Sequence, residues 1–87
     1  MRRESMLTGV QIRAARAALG WSAAALAEKA GVAMKTIARF EQVDGVPPSR
    51  SATLAGIQRV LEAAGVEFIG TPEDGPGIRL RRAAPRE

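Results

Sequence analysis

The chain has 87 residues and a mass of 9.2 kDa, and 13 Lys and Arg against 9 Asp and Glu give it a net charge of +4. This length accommodates one small domain. The absence of Cys and His excludes disulfides and Cys–zinc sites and removes the commonest general base. No apolar run approaches the roughly 18 residues of a membrane span, and no signal-peptide core follows the basic start. We therefore expect a basic, cytoplasmic binding module without cofactor or metal, and not an enzyme.

Apolar residues at helical spacing, bounded by Ser, Thr and Gly, predict four helices. The first three cover residues 8–19, 23–30 and 33–42, and the fourth begins at Ser51 or Thr53 and ends at Ala64. Thr8 and Gln11 have the spacing of a capping box at the start of the first helix, and Ser22 is an N-cap for the second. The third helix has a poor cap, because Ala33 stands where Ser or Thr would bond the free amides. Gly45 and a Pro-Pro pair predict a loop over 43–50.

The last third of the chain is β-prone. VEFI at 66–69 and the alternating IRLRR at 78–82 predict two strands, and the turn formers of 70–77 predict the connection between them. We therefore expect a β-hairpin over 66–82, followed by a short tail at 83–87. A lone two-stranded hairpin is only marginally stable in water, so it should pack on the helices or pair with a second copy.

The second and third predicted helices carry a specific spacing. Leu26 and Ala27 are followed by Gly31 four residues after Ala27, and by Ile37 six residues later, which is the spacing of a helix-turn-helix. Two helices that cross within such a short turn need a small side chain at Ala27 and a residue that tolerates positive φ at Gly31. Leu26, Val32 and Ile37 are the aliphatic anchors that would hold the second of these helices against the first.

With these residues, and with the stretches IRAARAALGWSAAALAEKAGV and TIARFE, residues 8–65 resemble the Cro/C1-type (Xre-like) helix-turn-helix regulators of the phage-repressor kind. The resemblance implies a mainly α fold of four to five helices, here followed by the C-terminal hairpin and preceded by a flexible tail at 1–7. It also implies a homodimeric transcriptional regulator, most simply a repressor, that reads an inverted-repeat operator in double-stranded DNA with helix 33–42 in the major groove.

The resemblance also implies which side chains meet DNA. Residues exposed near the start of the third helix would contact base edges, namely Met34, Lys35, Ala38 and Arg39. Residues of the first helix, the third helix and the following loop would contact phosphates, namely Arg13, Thr36, Arg50 and Ser51. The alternative for Lys35 and Arg39 is a solvated helix face. The family often has a phosphate-clamping Gln at the start of the second helix, where this chain has only Ala, and that departure weakens the expected binding.

Two further sets of residues have expected roles. Arg16 and Glu41 occupy positions at which the family forms a partly buried ion pair, so we expect both to be structural. The hairpin residues expected to form the dimer interface are Val66, Phe68, Ile78 and Leu80, with the fourth helix as the alternative location. Besides DNA and a second copy of the chain, a regulatory partner protein is a further candidate for binding.

The charge is distributed unevenly. Residues 1–21 carry +3 and residues 48–65 carry +1, whereas 22–47 and 66–87 each sum to zero. The basic parts would face the phosphates in the family's docking mode.

The missing Gln and the poor helix cap support a second hypothesis, in which the fold serves an antitoxin, anti-activator or adaptor whose hairpin adds a strand to a partner's sheet. Salt separates the two, because DNA binding weakens steeply as salt rises.

Overall fold

The computed structural model describes residues 7–81, except for the side chain of Ser51. In chain order these residues form α1 (Gly9–Leu19), α2 (Ala23–Ala30), α3 (Met34–Glu41), α4 (Ser51–Ala63), β1 (Val66–Thr71) and β2 (Asp74–Leu80). The predicted mainly α fold with a C-terminal hairpin is therefore confirmed. Most of the predicted tails, at 1–6 and 83–87, lies outside the described residues. Leu7 does not belong to a flexible tail, because it is 2% exposed and lies in the core.

The helix ends follow the local hydrogen bonds that the sequence predicted. In α1 the Thr8 hydroxyl accepts from the Gln11 amide at 3.1 Å, and the Gln11 side chain accepts from the Thr8 amide at 3.0 Å. In α2 the Ser22 hydroxyl accepts from the Ala25 amide at 3.0 Å. Both helices end at a glycine in the left-handed conformation with φ of 72°, Gly20 and Gly31, a conformation that side chains with a Cβ rarely adopt.

The core takes one apolar row from each helix, one residue from β1 and one residue that precedes α1. Its buried members are Leu7, Ile12, Ala15, Leu26, Ala27, Ile37, Phe40, Leu54, Ile57, Leu61 and Val66. Of the predicted anchors, Leu26 and Ile37 are among them, and Val32 is partly buried against them. The small Ala27 is buried as well, so α2 holds α3 as the spacing predicted. With Ile37 and Phe40 buried, one face of α3 points into the core and the opposite face is left to solvent.

A close backbone approach joins the start of α1 to the loop after α3. The Gly9 amide donates to the Gly45 carbonyl at 2.9 Å. A Cβ on Gly9 would lie under 3.0 Å from the carbonyl oxygens of Phe40 and Val43. Because these are backbone atoms that cannot step aside, only glycine fits at this position.

The hairpin has longer strands and a tighter turn than the sequence predicted. The ladder pairs Phe68 with Ile78 and continues to Thr71 and Asp74, so most of the predicted 70–77 connection is strand. Between the pairs Ile69–Gly77 and Thr71–Asp74, β2 has one residue more than β1, and the register shifts at this point. Gly70 lies at the shift and has a positive φ of 78°. The turn-forming residues of 70–77 therefore indicated two features, the turn itself and the irregularity in the pairing of β1 with β2.

The hairpin packs on the helices of its own protomer. Strand β2 lies against α1 and strand β1 against α4. Val66 is 3% exposed within the core, while Phe68 and Ile78 are partly buried against it. The assignment of Val66 to a dimer interface is therefore wrong, because its side chain is already enclosed by the helices. Leu80 is 48% exposed and is the residue of this set that most clearly faces solvent.

Candidate nucleic-acid interface

The exposed face of α3 carries the residues that were expected to read bases. Met34, Lys35, Ala38 and Arg39 are all exposed, and Met34 retains 55% of its accessible surface. Lys35 and Arg39 are four residues apart, so they share one side of the helix. On the opposite side Ile37 and Phe40 anchor the helix to the core. The face is thus held rigidly while its side chains stay accessible.

Beside this face, an open groove separates α3 from the start of α4. Its lining residues are Val32, Ala33, Thr36, Arg39, Phe40, Ser49, Arg50 and Thr53. The groove joins Thr36 and Arg50, both expected to contact phosphates, with Arg39, which was expected to contact bases. Ser49 and Thr53 were not predicted as site residues, although the spacing of hydroxyls around Arg50 was a visible signal. Ser51 begins α4 at this point, and its side chain lies outside the described residues.

Two helices begin at the groove without a side-chain cap from any described residue. The N-cap of α3 is Ala33 and that of α4 is Arg50, and neither side chain bonds the first amides of its helix. The helices α1 and α2, which begin elsewhere, are capped by Thr8 and Ser22. Uncapped amides and the positive end of the helix dipole favour an anionic group. The backbone therefore adds to the positive potential of the two arginines.

A bidentate ion pair fixes the far end of α3. The Nε of Arg16 lies 2.7 Å from Oε2 of Glu41, and its Nη2 donates to Oε1 at 2.8 Å. The Arg16 side chain is 23% exposed and that of Glu41 9%. The hydrogen bond to Glu41 raises the pKa of Arg16 above its ordinary value, with the carboxylate's charge acting in the same direction and burial opposing. The remaining nitrogen donates to the Trp21 carbonyl at 3.0 Å, so Arg16 joins α1 to two neighbouring segments.

Arg13 lies at this same end of α3. Its Nη1 donates to the carbonyl of Glu41, and its Nη2 is 3.8 Å from a carboxylate oxygen of Asp44. A cation at the last carbonyls of a helix stabilises its C-terminus. Arg13, expected at a phosphate, thus lies outside the groove, at the end of α3 opposite to Met34 and Lys35.

These contacts explain how a segment of zero net charge presents a positive surface. The acidic residues Glu41 and Asp44 face the arginines of α1. Among the described residues, Lys35, Arg39 and Arg50 have no carboxylate partner. The fold therefore removes the negative charges from the α3 face and leaves its cations unneutralised.

The family model of a helix-turn-helix domain matches residues 8–68, well over half of the chain. The chain belongs to this helix-turn-helix family. The match is consistent with the Cro/C1-type resemblance, and it extends into β1, beyond the predicted domain boundary at 65. A comparison with curated proteins found no significant match. No helix within residues 7–81 is long and apolar enough to cross a membrane.

The charged residues of the hairpin are arranged differently from those of the helix-turn-helix. Glu67 contacts Arg81 at 2.7 Å and Arg79 at 3.5 Å, so both described arginines of the hairpin have a carboxylate partner. Its turn exposes Glu73 and Asp74. An acidic tip repels phosphates, so the described part of the hairpin favours a structural or protein-contacting role over a second DNA contact.

Proposed function

We propose that this helix-turn-helix protein is a sequence-specific regulator of transcription, most simply a repressor, which binds double-stranded DNA as a homodimer. The observation that carries the proposal is the arrangement of Lys35, Arg39 and Arg50 on an exposed helix and its adjoining groove, where none of them has a carboxylate partner within residues 7–81. Such a surface complements the phosphate backbone and the guanine edges of a duplex.

The geometry suits insertion of α3 into a major groove. An eight-residue helix is about 12 Å long, comparable to the groove's width of about 12 Å. Lys35 would donate to guanine O6 and N7, while Met34 and Ala38 would pack on a thymine methyl. Thr36, Arg50 and Ser51 would contact the flanking phosphates and so fix the register of the helix.

We expect a homodimer because the two half-sites of an inverted-repeat operator are read by two copies of the protein related by two-fold symmetry. We place its contact at the Leu80 end of the hairpin, where an apolar side chain is 48% exposed. Phe68 and Ile78 lie on the same face of the hairpin as Leu80 and are partly buried against the core, so Leu80 forms the exposed end of that face. A second copy that covered Leu80 would remove this apolar surface from water.

Selection of bound duplexes from a random pool tests the proposal. We expect enrichment of an inverted repeat whose half-sites lie about 10 base pairs apart, or a multiple of that spacing. Binding to the enriched duplex should weaken steeply between low and physiological salt. No enrichment, together with salt-insensitive binding to a protein partner, would instead support the antitoxin, anti-activator or adaptor role.

A further inference from the structure

We infer that Arg39 contacts the DNA backbone and takes no part in base reading, an inference that rests on the proposed DNA-binding function. Arg39 was expected to read bases together with Lys35 only because the two are four residues apart on the exposed side of α3. The surroundings of their side chains differ. Arg39 lines the groove between α3 and α4, whereas Lys35 does not.

An aromatic contact holds Arg39 at this groove. The guanidinium carbon of Arg39 lies 5.6 Å from the centroid of the Phe40 ring. Phe40 is 2% exposed and belongs to the core, so the ring is a fixed surface. An arginine that stacks on an aromatic ring retains its outward-facing N–H donors, and its conformational freedom is reduced before any ligand binds.

The other residues of the groove have the chemistry of a phosphate site. Arg50 lies on the α4 side, and three residues that carry hydroxyls, Thr36, Ser49 and Thr53, line the same space. The Ser49 hydroxyl donates to the Arg50 carbonyl at 2.9 Å, so the donors left for a phosphate are those of the two threonines and the two arginines. No Asp or Glu of the described part of the chain contributes to the lining. Guanidinium groups match the geometry of phosphate oxygens, and hydroxyls add further donors. A phosphate in the groove would therefore meet Arg39 on one side and Arg50 on the other.

The assignment changes what the protein can discriminate. Base reading would be left to Met34, Lys35 and Ala38, which are exposed on α3 and do not line the groove. Arg39 would then add affinity for every duplex without adding preference for any base pair, because phosphates are the same at every step.

The test compares Arg39→Ala with the wild type on the selected operator and on duplexes that each carry one base-pair change, over a range of salt concentrations. We expect Arg39→Ala to weaken binding about tenfold on every duplex alike and to reduce the salt slope by about 0.9. Lys35→Ala should instead reduce the preference at one operator position. Arg59→Ala is the matched control, because Arg59 is an exposed cation of α4 outside the groove, and it should change affinity less than Arg39→Ala does.

Arg39→Lys provides a second variant if Arg39→Ala fails to fold by circular dichroism. A lysine retains the charge, so the base preferences should match those of the wild type and most of the salt slope should be retained. A changed base preference in either Arg39 variant, or an unchanged salt slope in Arg39→Ala, would overturn the inference while the proposed function stands. A wild type that binds no duplex even at low salt would overturn both.

Discussion

The side-chain amide of Gln11 donates to the carbonyl of Gly77 at 2.9 Å, across 66 positions of the chain. The same nitrogen donates to the Ile69 carbonyl at 3.2 Å, while the side-chain oxygen accepts from Thr8. Gln11 is 4% exposed, so these bonds are made largely out of water. One side chain therefore caps α1 and holds the hairpin against it, which makes the hairpin part of the domain's own fold.

Gln11→Glu should separate the two roles of this side chain. A glutamate still caps the helix as part of a capping box, but a carboxylate has no hydrogen to donate to the two hairpin carbonyls. We expect the free energy of unfolding in urea to fall by about 2 kcal/mol. Gln42→Glu places the same charge at the exposed C-cap of α3, where the helix dipole disfavours it by up to about 1 kcal/mol, so it should still cost less than the Gln11 variant. Equal stability of the Gln11 variant and the wild type would mean that the capping role alone matters.

Gly9→Ala should destabilise the domain although alanine is the better helix former. Its Cβ would press on two backbone carbonyls at the end of α3, and we expect a loss of about 3 kcal/mol or more. Gly56→Ala is the matched control within α4, since a Cβ there meets no atom within 4 Å. That variant should gain up to about 1 kcal/mol, in line with helix propensity. Thermal unfolding measures both, and a stabilised Gly9 variant would contradict the close approach.

Glu41→Gln should weaken the packing of α3. The substitution leaves the Arg16 guanidinium partly buried without a carboxylate, and we expect a loss of about 2–4 kcal/mol in urea unfolding. The lower end allows for the 23% exposure of the Arg16 side chain. Glu28→Gln removes an exposed carboxylate of α2 that has no ion-pair partner among the described residues. Similar stability losses in both variants would show that net charge, and not this ion pair, sets the effect.

Leu80→Asp should convert the proposed homodimer into a monomer that remains folded. The side chain is 48% exposed in the protomer, so a carboxylate there meets water when the partner is absent. Sedimentation should report half the mass, with an unchanged circular dichroism spectrum. Val46→Asp is the control, because Val46 is another exposed apolar residue, in the loop before α4, and it should leave the mass unchanged. A dimeric Leu80 variant would move the interface to another surface, such as α4.

Deletion of residues 66–87 would not test the dimer interface, because it would also disrupt the fold of the protomer. The deletion would take Val66 out of the core and leave Gln11 without its hairpin partners. We expect the remaining helices to lose cooperative thermal unfolding, because a domain of this size has little stability to spare. A truncated protein that unfolds as cooperatively as the full chain would show that the helices fold alone.

The sequence by itself determined the helices and their ends. Thr8, Ser22, Gly20 and Gly31 act through hydrogen bonds or backbone angles within a few residues, so their patterns are visible without the fold. The helix-turn-helix spacing was visible for the same reason, since its anchors lie within one short stretch. The family match over residues 8–68 agrees with that prediction.

Only the tertiary structure decided which charges remain on the surface and where the hairpin goes. Charge counting gave residues 22–47 no net charge, although the family resemblance implied the ion pair of Glu41 with Arg16. Only the packed structure shows that Lys35 and Arg39 have no carboxylate partner among residues 7–81. The hydrogen bonds from Gln11 to the hairpin join residues more than 50 positions apart. Val66 is likewise buried by residues from several elements of the fold. Local sequence carries no trace of such contacts, because they exist only once distant segments have packed together.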